Sequence, residues 1–164
     1  MTALRRILPL AFGVLLLVLA TRNRWGHTDV LFDPGAIAVT VLLPWIALVV
    51  TASMKATATT FADMFSTAAQ DLPAAQRAAS TTRVEFLAGA SVAAGLIAGM
   101  LSLVAGFNEI AAQGGQAPAG AWPGLTAGLL LGPVYGLALK TLLYDPAATA
   151  LAAAGTELDG VLES

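Results

Sequence analysis

Three stretches of this chain, residues 36–54, 86–107 and 122–144, are predominantly apolar and carry no acidic residue except at their flanks. Each matches the roughly 20 helical residues needed to cross a hydrocarbon core. A soluble domain carries roughly 25% charged residues, whereas 11% of this chain is charged and 57% is hydrophobic. That balance places the chain in lipid. A shorter apolar stretch, residues 7–20, follows Arg5 and Arg6. A signal peptide begins in the same way, and Val18 and Ala20 are small enough for a cleavage site. Reading it instead as a short spanning helix gives an all-α integral membrane protein with four transmembrane helices, about 5–21, 35–55, 86–107 and 122–144. Residues 1–164 then form a single membrane domain with a cytoplasmic segment, 56–85, and a cytoplasmic tail, 145–164.

Lys and Arg concentrate in cytoplasmic loops. With the N-terminus inside, Arg5, Arg6, Lys55, Arg77, Arg83 and Lys140 are cytoplasmic, against Arg22 and Arg24 outside. Both termini are then cytoplasmic, with external loops near 21–33 and 108–121. The absence of cysteine removes thiol chemistry and disulfides. The lone histidine, His27, has no companion to share a metal and reads as a solvated loop residue. A net charge of -2 without a basic run argues against nucleic acid as a partner.

Local chemistry marks the helix ends. Asp33-Pro34 sets a capping carboxylate before a proline at the first helical position, so the second span starts there. Asp145-Pro146 repeats the device and opens an alanine-rich segment, Ala147 to Leu162, expected to be a short cytoplasmic tail helix. Phe61, Phe65, Ala68 and Leu72 recur at helical spacing, which predicts an amphipathic helix running to Pro73. A membrane-surface helix and a continuation of the second span both fit that segment.

Small residues form the most informative pattern. Gly124, Gly128, Gly132 and Gly136 recur at every fourth position of the fourth span, and Ser91, Gly95, Gly99, Ser102 and Gly106 line one face of the third. Missing side chains let helices in lipid approach closely. Packing within one chain would use these residues too, but two matched stripes favour a surface between chains. No ionisable residue lies mid-membrane; Glu85, Glu109 and Lys140 sit at span boundaries, where Lys140 can snorkel. Any ion crossing here needs a carboxylate from another chain.

Phe32-Asp33-Pro34-Gly35-Ala36-Ile37-Ala38-Val39, Gly95-Leu96-Ile97-Ala98-Gly99 and Leu131-Gly132-Pro133-Val134-Tyr135-Gly136 followed by Pro146 resemble, in this order, segments of the MotA/TolQ/ExbB proton-channel family. The likeness is to the four-span flagellar stator A subunit and covers about residues 5–150. It implies a ring-forming subunit of an ion-driven membrane motor in the bacterial inner membrane. The ring would be a homo-oligomer, usually a pentamer, around a single-span partner of MotB/ExbD/TolR type whose aspartate titrates.

The resemblance makes Ser91, Gly95, Gly99, Ser102, Gly132, Pro133 and Tyr135 ion-path or partner-facing positions, while the four-residue spacing makes Gly124, Gly128, Gly132 and Gly136 helix-packing positions. It implies no cofactor and no enzymatic activity. Gly99 and Pro133 stand where the family has lumen threonines, which favours protons over sodium. The third span lacks the family's starting proline, and the short 55–85 segment points away from a flagellar rotor. A membrane scaffold without ion conduction is the alternative. A small-solute transporter is a third reading, weakened by the lack of an inward ionisable group or a broken inverted repeat.

Overall fold

The computed structural model describes residues 33–66, 69–116 and 121–162, and among them every regular element is helical. The apolar segment at 5–21, with Arg22, Arg24, His27 and Phe32, lies outside the described residues, as does Ala68. Helix α1 spans Pro34–Ala52, α2 Met54–Met64, α3 Ala74–Ala112 and α4 Ala121–Leu139. A π-helical turn, Lys140–Tyr144, carries α4 without a break into α5, Asp145–Leu162. Three continuous helical stretches, α1, α3 and α4 with the start of α5, are long and apolar enough to cross a membrane. They suggest a multi-pass membrane protein.

Helix α1 begins as its first residues dictate. The Asp33 side chain accepts a 3.0 Å bond from the Ala36 N–H, and Pro34 occupies the first turn, where no N–H is required. Pro44 within α1 and Pro133 within α4 each remove a donor from the helical ladder. Ser53 ends α1 and caps α2, and its φ of 96° turns the chain there. The second span and the segment after it are therefore separate helices.

Three expected boundaries differ. The helix after Ser53 stops at Met64 rather than running to Pro73, and the chain passes through a short 3-10 turn, Ala69–Asp71. Pro73 instead sits just before α3, a position that needs no N–H. From there α3 continues unbroken for 39 residues, about 58 Å at 1.5 Å per residue. That is roughly twice a hydrocarbon core of about 30 Å. Asp145-Pro146 opens α5 where expected, but without a break from α4. The π turn absorbs the donor missing at Pro146, and Asp145 pairs with Lys140 at 2.8 Å. Both partners are more than a third exposed, so the pair adds at most about 1 kcal/mol.

The apolar core lies at the end of the bundle away from Asp33. Leu48 of α1, Met64 of α2, Val84 and Leu87 of α3, Tyr144 and Leu151 meet there, each at most 2% exposed. Nearer Asp33 the helices pack through small residues, and large apolar side chains such as Met100, Val104 and Leu130 point outward. Outward-facing apolar side chains on polar-poor helices suit a lipid solvent.

Candidate functional site

The glycine stripes of α3 and α4 meet each other. A methyl group added at Gly95 would overlap the Gly132 carbonyl oxygen, and one at Gly132 would overlap the Gly95 carbonyl and lie 2.6 Å from the Gly99 nitrogen. One at Gly136 would overlap the Ser91 carbonyl and sit 3.0 Å from the Val92 Cα. The two helices therefore touch backbone to backbone over about two turns. The Leu129 carbonyl, which loses its ladder donor at Pro133, lies against Gly99. A carbonyl set over a glycine Cα is the arrangement of a Cα–H···O contact, a small stabilising term repeated along the seam.

The seam weakens toward the Asp33 end. Gly128 meets the Ser102 Cβ, Gly106 meets only the flexible end of Leu125, and Gly124 has open space where its side chain would be. Gly95, Gly99, Gly132 and Gly136 are thus turned toward a neighbouring helix of their own chain. The expectation that these stripes join separate chains is corrected for these four: with their Cα atoms against a facing backbone, no space remains there for a helix from another molecule. Spacing identified the contact face but not the helix that covers it.

Ser91, on the same face of α3, is fully buried beside Tyr144, and its hydroxyl makes no bond of ordinary length. Trp45 of α1 also lies beside Tyr144. Pro133 and Tyr135 are half-buried, and Tyr135 reaches across to the start of α1. Its hydroxyl accepts a long bond, 3.4 Å, from the Asp33 N–H. Ser102 Oγ donates to Asp33 Oδ2, also at 3.4 Å. Asp33 therefore caps α1 while linking it to α3 and α4.

Two clefts open beside this clip. One of about 500 Å³ lies between α3 and the start of α4 and is lined by Asp33, Ser102, Glu109, Gln113, Gly124 and Gly128. The other, about 350 Å³, lies between α1 and α3 against Asp33, Val39, Ala98 and Leu101. Gly124 thus lines a cleft rather than a helix contact. Among the described residues no three His, Cys, Asp or Glu side chains gather closely enough to hold a metal.

A second polar group ties the opposite end together. Asp63 of α2 is 4% exposed and accepts 2.6 Å from Ser80 Oγ and 3.1 Å from Gln76 Nε2, both on α3. Arg77, 8% exposed, donates 2.9 Å to the Ala154 carbonyl of α5. Burial of these polar groups is tolerable because each has a partner. Nothing local in the sequence marks Asp63 or Arg77, since their partners lie 13 or more positions away. Compared with known proteins, the chain matches no family model, no curated protein and no solved structure.

Proposed function

We propose that this chain is the multi-span subunit of an ion-driven membrane complex, most simply a proton-driven one, in which a single-span partner supplies the titrating carboxylate. One observation carries the reading. The membrane-crossing parts of α1, α3 and α4 hold no Asp, Glu, Lys, Arg or His between their ends, yet they form a rigid bundle joined to polar groups at both ends. Such a bundle can guide or brace a charge carrier but cannot carry charge itself. The three segments resembling the MotA/TolQ/ExbB family support a ring of these subunits around the partner, with four spans, both termini inside and a bacterial inner membrane as the setting.

In this reading α3 and α4 act as one stiff unit. Each elementary charge crossing 100 mV releases about 2.3 kcal/mol, and a stiff helix pair would pass displacement from the bilayer to the α2 and α5 end without dissipating it in internal sliding. With the seam closed inside the chain, contacts to other chains fall to the outward faces of α3 and α4, where Leu96, Met100, Val134 and Leu137 are exposed.

The seam also favours a second reading, a scaffold subunit without conduction, because its glycines are fully used by internal packing. Flux separates the two. Vesicles holding the chain alone should show no proton uptake under an imposed potential, whereas the complex co-purified with its single-span partner should. Uptake by the chain alone would overturn the motor proposal, and silence of a co-purified complex whose partner aspartate is intact would favour the scaffold.

A further inference from the structure

Helix α2 is inside out by the standard of a water-soluble helix. Its buried residues are Thr57, Thr60, Asp63 and Met64, while Met54, Phe61 and Phe65 are 70%, 54% and 44% exposed. A helix flanked by water turns its apolar stripe inward. Here the inward polar groups are all satisfied: Thr57 and Thr60 bond back to the Ser53 and Ala56 carbonyls, and Asp63 holds Ser80 and Gln76. The inversion is therefore a built feature with a closed hydrogen-bond account.

At 100° per residue, Met54, Ala58, Phe61 and Phe65 fall within an arc of about 60°. Lys55 and Thr59 lie about 90–130° away from its centre, and the buried residues occupy the remaining side. The helix thus has an apolar face, a polar face and a protein face. Phe61 also sets the depth of the apolar face. Its ring lies edge-on to Trp45 at 5.6 Å and against Phe65 at 5.0 Å. Trp45, itself packed partly into the core, sits about two turns inside the end of the membrane-long helix α1, so its contact with Phe61 holds the apolar face of α2 beside a span.

We propose that α2 lies in the membrane boundary of the leaflet that holds the α1–α2 corner, with Met54, Ala58, Phe61 and Phe65 among phospholipid acyl chains and Lys55 at the headgroup phosphates. This is the arrangement of an interfacial amphipathic helix, and Asp63 fastens it to α3. The occupant of the exposed face is lipid, because the face lies beside a membrane-long span and is bordered by a cation on its polar side.

The chain has no native cysteine, so single-cysteine variants report cleanly. Ala58→Cys, Phe61→Cys and Lys55→Cys, in the full chain, are each labelled with an environment-sensitive fluorophore. They are reconstituted into phosphatidylcholine–phosphatidylglycerol vesicles containing a lipid with a nitroxide on the acyl chain. The labels at positions 58 and 61 should be quenched several-fold more by the lipid nitroxide, relative to an aqueous quencher, than the label at position 55. Equal ratios at all three positions, or preferential aqueous quenching at 58 and 61, would place the face in water and overturn the proposal. Shielding of the labels from both quenchers, together with disulfide formation between copies of the same variants left unlabelled, would assign the face to a second copy and overturn it equally.

Discussion

Replacement of Gly132 by alanine should separate α3 from α4 and destabilise the folded chain by about 3 kcal/mol or more, the upper end of the cost of overpacking. The added methyl meets the Gly95 carbonyl, the Gly99 nitrogen and the Ala98 Cβ. Two of these are backbone atoms in the middle of a helix, so no rotamer change relieves the overlap. Gly95→Ala and Gly136→Ala should behave alike, because each also strikes backbone. Gly106→Ala should cost less, since the flexible Leu125 side chain can move aside. Gly89→Ala and Gly124→Ala meet nothing within 4 Å and should be neutral or slightly stabilising through helix propensity. Unfolding in mixed detergent micelles, compared across the six variants, checks this order. A flat series would mean that the helices are not in backbone contact.

Asp63→Ala is expected to have the second largest effect, about 2–4 kcal/mol, measured as lost thermal stability and as new protease cleavage near residues 65–73. The substitution leaves Ser80 Oγ and Gln76 Nε2 without their acceptor in a buried site, and charge-assisted bonds of this kind contribute about 1.5–3 kcal/mol. Asp63→Asn keeps the shape and one acceptor oxygen and should lose markedly less. The contrast separates loss of the hydrogen bonds from loss of the negative charge. If the asparagine variant is as unstable as the alanine one, the charge itself holds α2 in place.

The legible parts of this fold were those written in neighbouring residues. Asp33 and Pro34 carry both the cap and the permissive first turn of α1, so its start could be read from two positions. At Asp145-Pro146 the same dipeptide marked the start of α5 but not its continuity with α4, because a π turn five residues long absorbs the missing donor there. The first third of α3 was hidden for a different reason. Its buried face runs Arg77, Ser80, Val84 and Leu87, and half of those side chains are polar. An apolar period cannot register a helix whose inward residues are held by hydrogen bonds to α2 and α5.

The candidate site divides along the same line. Four-residue spacing shows that Gly128, Gly132 and Gly136 share a face. It carries no information about whether the facing helix belongs to the same chain. That depends on α4 packing antiparallel along α3. Asp33 was visible as a cap but not as the point where Ser102 and Tyr135 converge, since those partners lie 69 and 102 positions away. The outward apolar face of α2 was partly visible, through Phe61 and Phe65. Only the burial of Thr60 and Asp63 shows that this face points away from the protein.

The most direct test of an internal seam is a cysteine pair placed across it. A Cβ at position 128 would lie 3.3 Å from the Ser102 Cβ, close to the roughly 3.5–4.5 Å that a disulfide spans. Mild oxidation of Ser102→Cys/Gly128→Cys in membranes, in a chain with no other cysteine, should consume both thiols and leave a species that migrates as a monomer in non-reducing gels. A ladder of dimers and higher multimers in its place would show that the two stripes belong to different molecules.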